Sequence, residues 1–161
     1  MKFVLAGGSG QIGRGLASAL LAAGHQIVVL SRHPTPGPAR SIPWDAKTVG
    51  EWASEVDGAD IVVNLAGRNV NCRYTAANRR AIMDSRVEST TAIGKAIAHA
   101  GSPPRVWLQA STATIYAHRY DADNDERHGQ IGGNEPNAPP SGVSASTSPA
   151  RGRRQHSVST R

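Results

Sequence analysis

At 161 residues the chain has the length of one ordinary domain, enough to enclose a core, with 39% hydrophobic residues but only 4% aromatic ones. Its apolar runs are far shorter than a membrane span and no cationic and apolar leader opens it, so neither a spanning helix nor a secretory signal is expected. All 12 acidic residues lie at or before Glu135 and four of the 18 basic ones lie in the tail, so the formal charge of +6 comes mainly from the tail and argues against nucleic-acid binding by a folded surface.

Lys2–Ala6 reads as a buried strand, and Gly10–Ala23 as a helix closed by Gly24. Gln26–Leu30 is a second, β-branched strand. Pro34, Pro36, Pro38 and Pro43 mark a loop rather than an element. Val49–Val56 predicts a short helix, and Ala59–Leu65 a third strand, apolar on both faces as in a parallel sheet covered by helices. Thr75–Ala100 is helical, with a break expected near Asp84; Gly101 and Pro103–Pro104 end it, and Arg105–Ala110 is a fourth strand. The alternation implies right-handed crossovers and a Rossmann-type, doubly wound parallel α/β sheet. Residues 1–133 form this domain, and 134–161, rich in Pro, Ser, Gly and Arg, are expected to be disordered.

The segment "AGGSGQIG" stands where the first strand hands over to the first helix. Gly7 permits a sharp turn, Gly10 lets main-chain amides approach a pyrophosphate, and Gly13 lets the helix pack closely on the strand. The helix N-terminus then offers partial positive charge to the phosphates. Gly7, Gly8, Ser9, Gly10, Gln11, Ile12 and Gly13 are therefore the candidate dinucleotide-binding residues. The second strand ends in "VVLSRHP", with Ser31 and Arg32 where a carboxylate would otherwise hold a ribose 2′-hydroxyl. A hydroxyl and a guanidinium suit a 2′-phosphate, which favours NADP(H) over NAD(H).

Together, "AGGSGQIG", "SR" after the second strand, "NLAG" at Asn64–Gly67, "SRV" at Ser85–Val87 and "ATIYAHR" resemble the extended short-chain dehydrogenase/reductase superfamily, and within it the epimerase-like family of predicted sugar-nucleotide epimerases. The resemblance covers residues 1–137 and implies a chain about twice this length with a C-terminal substrate domain. It implies that Asn64, Leu65, Ala66 and Gly67 line the nicotinamide-side ribose. It places Ser111 and Thr112 where a hydroxyl contacts the substrate oxygen, and leaves Tyr116 as the tyrosine near the cleft. The superfamily's proton-donating Tyr, followed four positions later by Lys, is absent, because no lysine occurs after Lys95. A small-molecule substrate such as a sugar nucleotide is implied.

Where the family continues as a helix, Ser141–Arg153 read in another codon frame can encode WRFSVDVARAWE, so the tail is expected to follow a frame slip near Pro139. The sheet would then be incomplete on its C-terminal side and turnover impaired. The competing readings are a non-catalytic NADPH-binding regulatory module and a nucleic-acid binder driven by the tail.

Other constellations point to structure. "YDADND" lacks the glycine and glutamate of a calcium loop and reads as a solvated acidic loop, so no metal is expected. The single Cys72 excludes an internal disulfide, has no adjacent activating base, and suits a reducing cytoplasm. Trp44, Trp52 and Trp107 read as core or cleft walls.

Overall fold

The computed structural model describes residues 1–132 apart from 113, 114, 118 and 120, and the expectations for the tail lie outside these. The described residues fall into two compact units. One contains Met1–Gly67 with Glu88–Ala110, and the other contains Arg68–Val87 and the described residues from Ser111 onward.

The first unit is built on a five-stranded sheet: β1 (Lys2–Ala6), β2 (Gln26–Ser31), β3 (Arg40–Pro43), β4 (Ile61–Asn64) and β5 (Val106–Gln109). The strand order is β3-β2-β1-β4-β5 and every pairing is parallel. Helix α1 (Gln11–Ala22) connects β1 to β2, and α2 (Ala76–His99) connects β4 to β5. The order reverses at β1, whose neighbours β2 and β4 are entered from opposite directions. Ligands of such sheets bind beyond the carboxyl ends of the strands at that switch point.

Alternation along the central strands divides the core. Val4, Ala6, Val28, Leu30 and Val62 pack with Ala92, Ile93 and Ala96 of α2 and with Trp44, Trp52 and Val56. On the other face, Phe3, Leu5, Ile27, Val29 and Val63 pack with Ala17 of α1. Trp44 and Trp52 meet edge to face with centroids 5.4 Å apart, and Trp107 packs against the same cluster. Those three aromatics supply bulk in a cluster otherwise aliphatic.

Three local expectations are corrected. The proline-rich stretch, expected to be loop throughout, contains β3. The strand survives because it pairs only with β2, with Pro43 as its last residue, and because Arg40 Nη1 lies 2.8 Å from Glu55 Oε1. Glu55 is buried and also meets Lys2 Nζ at 3.3 Å, which ties β3 to the start of β1. The short helix expected over Val49–Val56 is a 3-10 turn over Glu51–Glu55. Helix α2 runs without a break through Asp84. Asp84 is exposed there, and the next residue, Ser85, returns its hydroxyl to the Ile82 carbonyl at 3.0 Å.

Gly24, at φ +81°, closes α1 in the left-handed conformation expected of it. Among the described residues, β5 is the outer strand on its side and exposes Val106 and Leu108. No helix among them is long and apolar enough to cross a membrane, and no group of His, Cys, Asp or Glu is placed to hold a metal ion.

Candidate functional site

The chain leaves β1 through a turn whose shape only glycine permits. Gly7 has φ +74°, and a methyl group on it would stand 2.9 Å from the Ala66 nitrogen and Cα. The Gly8 amide donates to the Leu5 carbonyl at 3.1 Å and the Gly10 amide to the Gly7 carbonyl at 3.1 Å, so the turn folds on itself. Gly13, one turn into α1, rests on the Gly8 backbone, and a methyl group there would stand 2.5 Å from the Gly8 Cα. Gly10 is exposed, and a methyl group on it would meet only the Gly7 carbonyl oxygen, at 3.4 Å.

Gly10 is the N-cap of α1 and offers no side-chain acceptor, so the first-turn amides of Gln11, Ile12 and Gly13 keep no side-chain cap. No acidic residue stands in that turn. Ile12 is 74% exposed, a large apolar side chain beside an uncapped positive helix end. The arrangement fits a diphosphate held by main-chain donors.

At the end of β2, Ser31 is buried rather than presented to solvent. Its hydroxyl oxygen lies 3.0 Å from Ser9 Oγ and 3.1 Å from the His33 carbonyl oxygen, and accepts the His33 amide at 3.2 Å. Ser31 thus joins the glycine turn to the end of β2 through Ser9. Arg32 is exposed and forms no ion pair among the described residues.

The end of β4 abuts the same turn. Asn64 is fully buried, and its Oδ1 accepts the Ala66 amide at 3.0 Å while its Nδ2 donates to Gln109 Oε1 at 2.9 Å and Ser89 Oγ at 3.3 Å. Thr90 Oγ1 donates to the same Gln109 oxygen at 3.3 Å, and the Leu65 amide reaches the Ala6 carbonyl at 2.8 Å. Asn64 therefore fixes Leu65 and Ala66 against Gly7, and Gly67 follows, exposed. Ser89, Thr90 and Gln109 were not among the residues expected at the site. Their only sequence signal is a polar pair inside an apolar helix face and a glutamine ending an apolar strand.

Ser111, Thr112 and Tyr116 lie in the second unit. Ser111 and Thr112 are exposed, and the Thr112 carbonyl accepts the Ile115 amide at 3.3 Å. Tyr116 is half-buried in an antiparallel bridge to Ile131, and a methyl group on Gly129 would stand 2.6 Å from its Cε1. The acidic loop that follows is exposed at Asp121, Asp123, Asp125 and Glu126. Asp125 accepts the His128 amide and side chain, which holds its carboxyl below the usual range.

A parallel sheet with a glycine turn at its switch point, opening onto an uncapped helix, defines a Rossmann-type dinucleotide-binding domain. The chain belongs to the NAD dependent epimerase/dehydratase family, whose model matches residues 3–139. It is 36% identical over 129 residues to the Bos taurus epimerase family protein SDR39U1, covering 78% of this chain and 42% of that one. Its identity to the Bacillus subtilis epimerase family protein YfhF is 29% over 123 residues, covering 72% of this chain and 39% of that one. Human SDR39U1 (isoform 2), solved with NADPH, superposes at TM-score 0.77 and 30% identity, covering 96% of this chain and 48% of that one. MoeE5, solved with UDP-glucuronic acid and NAD, shares the fold at TM-score 0.72 and 19% identity over 96% of this chain and 48% of that one. The chain spans less than half the length of the curated relatives it matches.

Proposed function

We propose that this chain is the NADP(H)-binding part of an epimerase-like oxidoreductase of the extended short-chain dehydrogenase type, with residues 1–133 as its cofactor domain. The observation that carries the cofactor choice is Arg32, exposed at the end of β2 with no carboxylate partner among the described residues. A carboxylate there would repel a 2′-phosphate, whereas a guanidinium grips one with paired hydrogen bonds. The NADPH bound by human SDR39U1 supports the choice, while the NAD of MoeE5 marks the alternative within the fold.

In this reading the first-turn amides of Gln11, Ile12 and Gly13 hold the diphosphate, and Ser9, ordered by Ser31, stands with Arg32 at the adenosine ribose. Leu65, Ala66 and Gly67, held by Asn64, line the nicotinamide-side ribose. Bound NADP(H) supplies hydride exchange. Ser111 and Thr112 offer hydroxyl donors to the substrate oxygen, with Tyr116 as the third polar contact. The substrate class is a carbinol-bearing sugar nucleotide or a similar small molecule. Without a Tyr-x-x-x-Lys pair in residues 1–161, this chain is expected to turn over slowly or not at all. The family membership favours this lineage over a purely regulatory module.

Calorimetric titration of the native chain and Arg32→Ala with NADPH and NADH tests the reading. The substitution is expected to weaken NADPH by about tenfold or more while leaving NADH unchanged. Equal loss of both cofactors, or of neither, overturns the choice of NADP(H).

A further inference from the structure

The near balance of charge outside the tail conceals a local excess. Residues 68–87 contain five arginines (Arg68, Arg73, Arg79, Arg80 and Arg86) and a single carboxylate, Asp84. Elsewhere among the described residues, four of the lysines and arginines form ion pairs. Lys2 and Arg40 meet Glu55, Lys47 meets Glu88, and Arg119 meets Asp121. Among the described residues, no ion pair joins Arg68, Arg73, Arg79 or Arg80 to a carboxylate.

Hydrogen bonds tie Arg68, the Arg73 main chain and Arg86 to one another. The loop before α2 folds back on the first turns of the helix, where the Arg68 amide donates to Ser85 Oγ at 2.9 Å. Arg68 Nη2 donates to Asn78 Oδ1 at 3.2 Å, and Asn78 Nδ2 donates to the Arg73 carbonyl at 2.8 Å. Arg86 Nη1 reaches the Ile82 carbonyl at 3.0 Å and the Arg68 carbonyl at 3.4 Å. Arg79 and Arg86 stand seven residues apart on α2, hence on one face. Asn78 therefore links the Arg68 guanidinium to the Arg73 main chain, with Arg86 bound to the same loop.

Like charges on so short a segment repel one another, and Arg86 adds the cost of partial burial, which pushes its guanidinium below the ordinary arginine value against the opposing pull of Tyr74. The first turn of α2 contains no acidic residue, so the positive end of the helix adds to the excess rather than offsetting it. A multiply charged anion would offset all of these at once. Guanidinium forks match phosphoryl oxygens in paired hydrogen bonds, and a single loop with two helical turns is too compact for the repeated phosphates of a nucleic-acid strand.

We propose that residues 68–87 form an anion site, separate from the glycine turn, that takes the phosphoryl group of a small-molecule ligand, with the Arg68 guanidinium at its centre and Arg73, Arg79 and Arg86 around it. The site lies wholly within the second unit and does not depend on the cofactor assignment.

The test is titration of the full chain with inorganic pyrophosphate at saturating NADPH, which occupies the glycine turn, comparing the native protein with Arg68→Gln and Arg79→Gln. Arg68→Gln retains the main-chain contacts of residue 68 to Ser85 and Arg86, so its fold should persist; circular dichroism checks this. Pyrophosphate is expected to bind the native chain and to lose about tenfold in affinity in each variant, with NADPH affinity unchanged. No binding to the native chain, or binding that neither variant weakens, overturns the proposal. A single-stranded 12-mer oligonucleotide that binds more tightly than pyrophosphate through the same arginines overturns it in favour of nucleic acid. If NADPH itself fails to bind, the cofactor reading falls, while the dependence of pyrophosphate binding on Arg68 still decides this one.

Discussion

Gly13 of α1 lies directly on the backbone of Gly8, so close that a methyl group on it would stand 2.5 Å from the Gly8 Cα and from its carbonyl oxygen. No side-chain rotation relieves such a clash, because the atoms met are main chain. Gly13→Ala must lift α1 off the end of β1 and is expected to cost about 1–3 kcal/mol of stability. Thermal unfolding measures it. The same displacement moves the first-turn amides, so NADPH affinity should fall as well. Gly15 is the internal control, since a methyl group there meets nothing within 4 Å.

Asn64 is the second place where one side chain holds the site together. Asn64→Leu would leave the Ala66 amide, the Gln109 side-chain oxygen and Ser89 Oγ without the contacts Asn64 supplies. The Gln109 oxygen keeps its Thr90 contact, and losing partners around a buried network of this kind costs about 1–3 kcal/mol, the loss expected here. Amide hydrogen exchange separates this from general loosening: exchange at Ala66 should accelerate more than at Val4 or Val28 in the sheet centre.

Acid sensitivity has a named contributor in Asp45. Its carboxylate accepts the Thr48 amide at 2.9 Å, the Thr48 hydroxyl at 2.7 Å and the Lys47 amide at 2.8 Å, which lowers its pKa to about 2 from 3.8. The folded-state value is depressed, so the carboxylate stabilises the fold above the ordinary value and that contribution disappears as pH falls from about 4 toward about 2. Asp45→Asn is expected to be less stable than the native chain at neutral pH and to lose less stability across that window. Urea unfolding at a series of pH values checks the difference in slope, and parallel slopes would remove Asp45 as the cause.

Much of the sheet was legible because it rests on local signals. β1 was placed at its exact bounds by an apolar run ending in glycines, and Gly24 marked the end of α1. β3 was not legible, since prolines argue locally for a loop, and what overrides them is pairing with β2 and the Arg40–Glu55 contact, 15 residues apart. The same limit explains Ser31. Its position after β2 was clear from the pattern, but its burial and its contact with Ser9, 22 residues earlier, follow only from bringing two strand ends together. Ser89, Thr90 and Gln109 escaped notice because a polar residue becomes a buried partner only when another element covers it.

By itself the sequence determined the order of the two long helices and of four of the five strands, the glycine turn between the first strand and the first helix, and the absence of a carboxylate at the end of β2. Each of these depends on neighbours within a few residues, where backbone sterics and hydrophobic periodicity act directly. Tertiary structure alone decided that Ala66 closes on Gly7, that Asn64 sits at the centre of a buried polar network, and that Asn78 links the Arg68 guanidinium to the Arg73 main chain. Each needs segments that the fold brings together, and the energy of the long-range ones exists only once the chain has paid the entropy of closing the intervening loops.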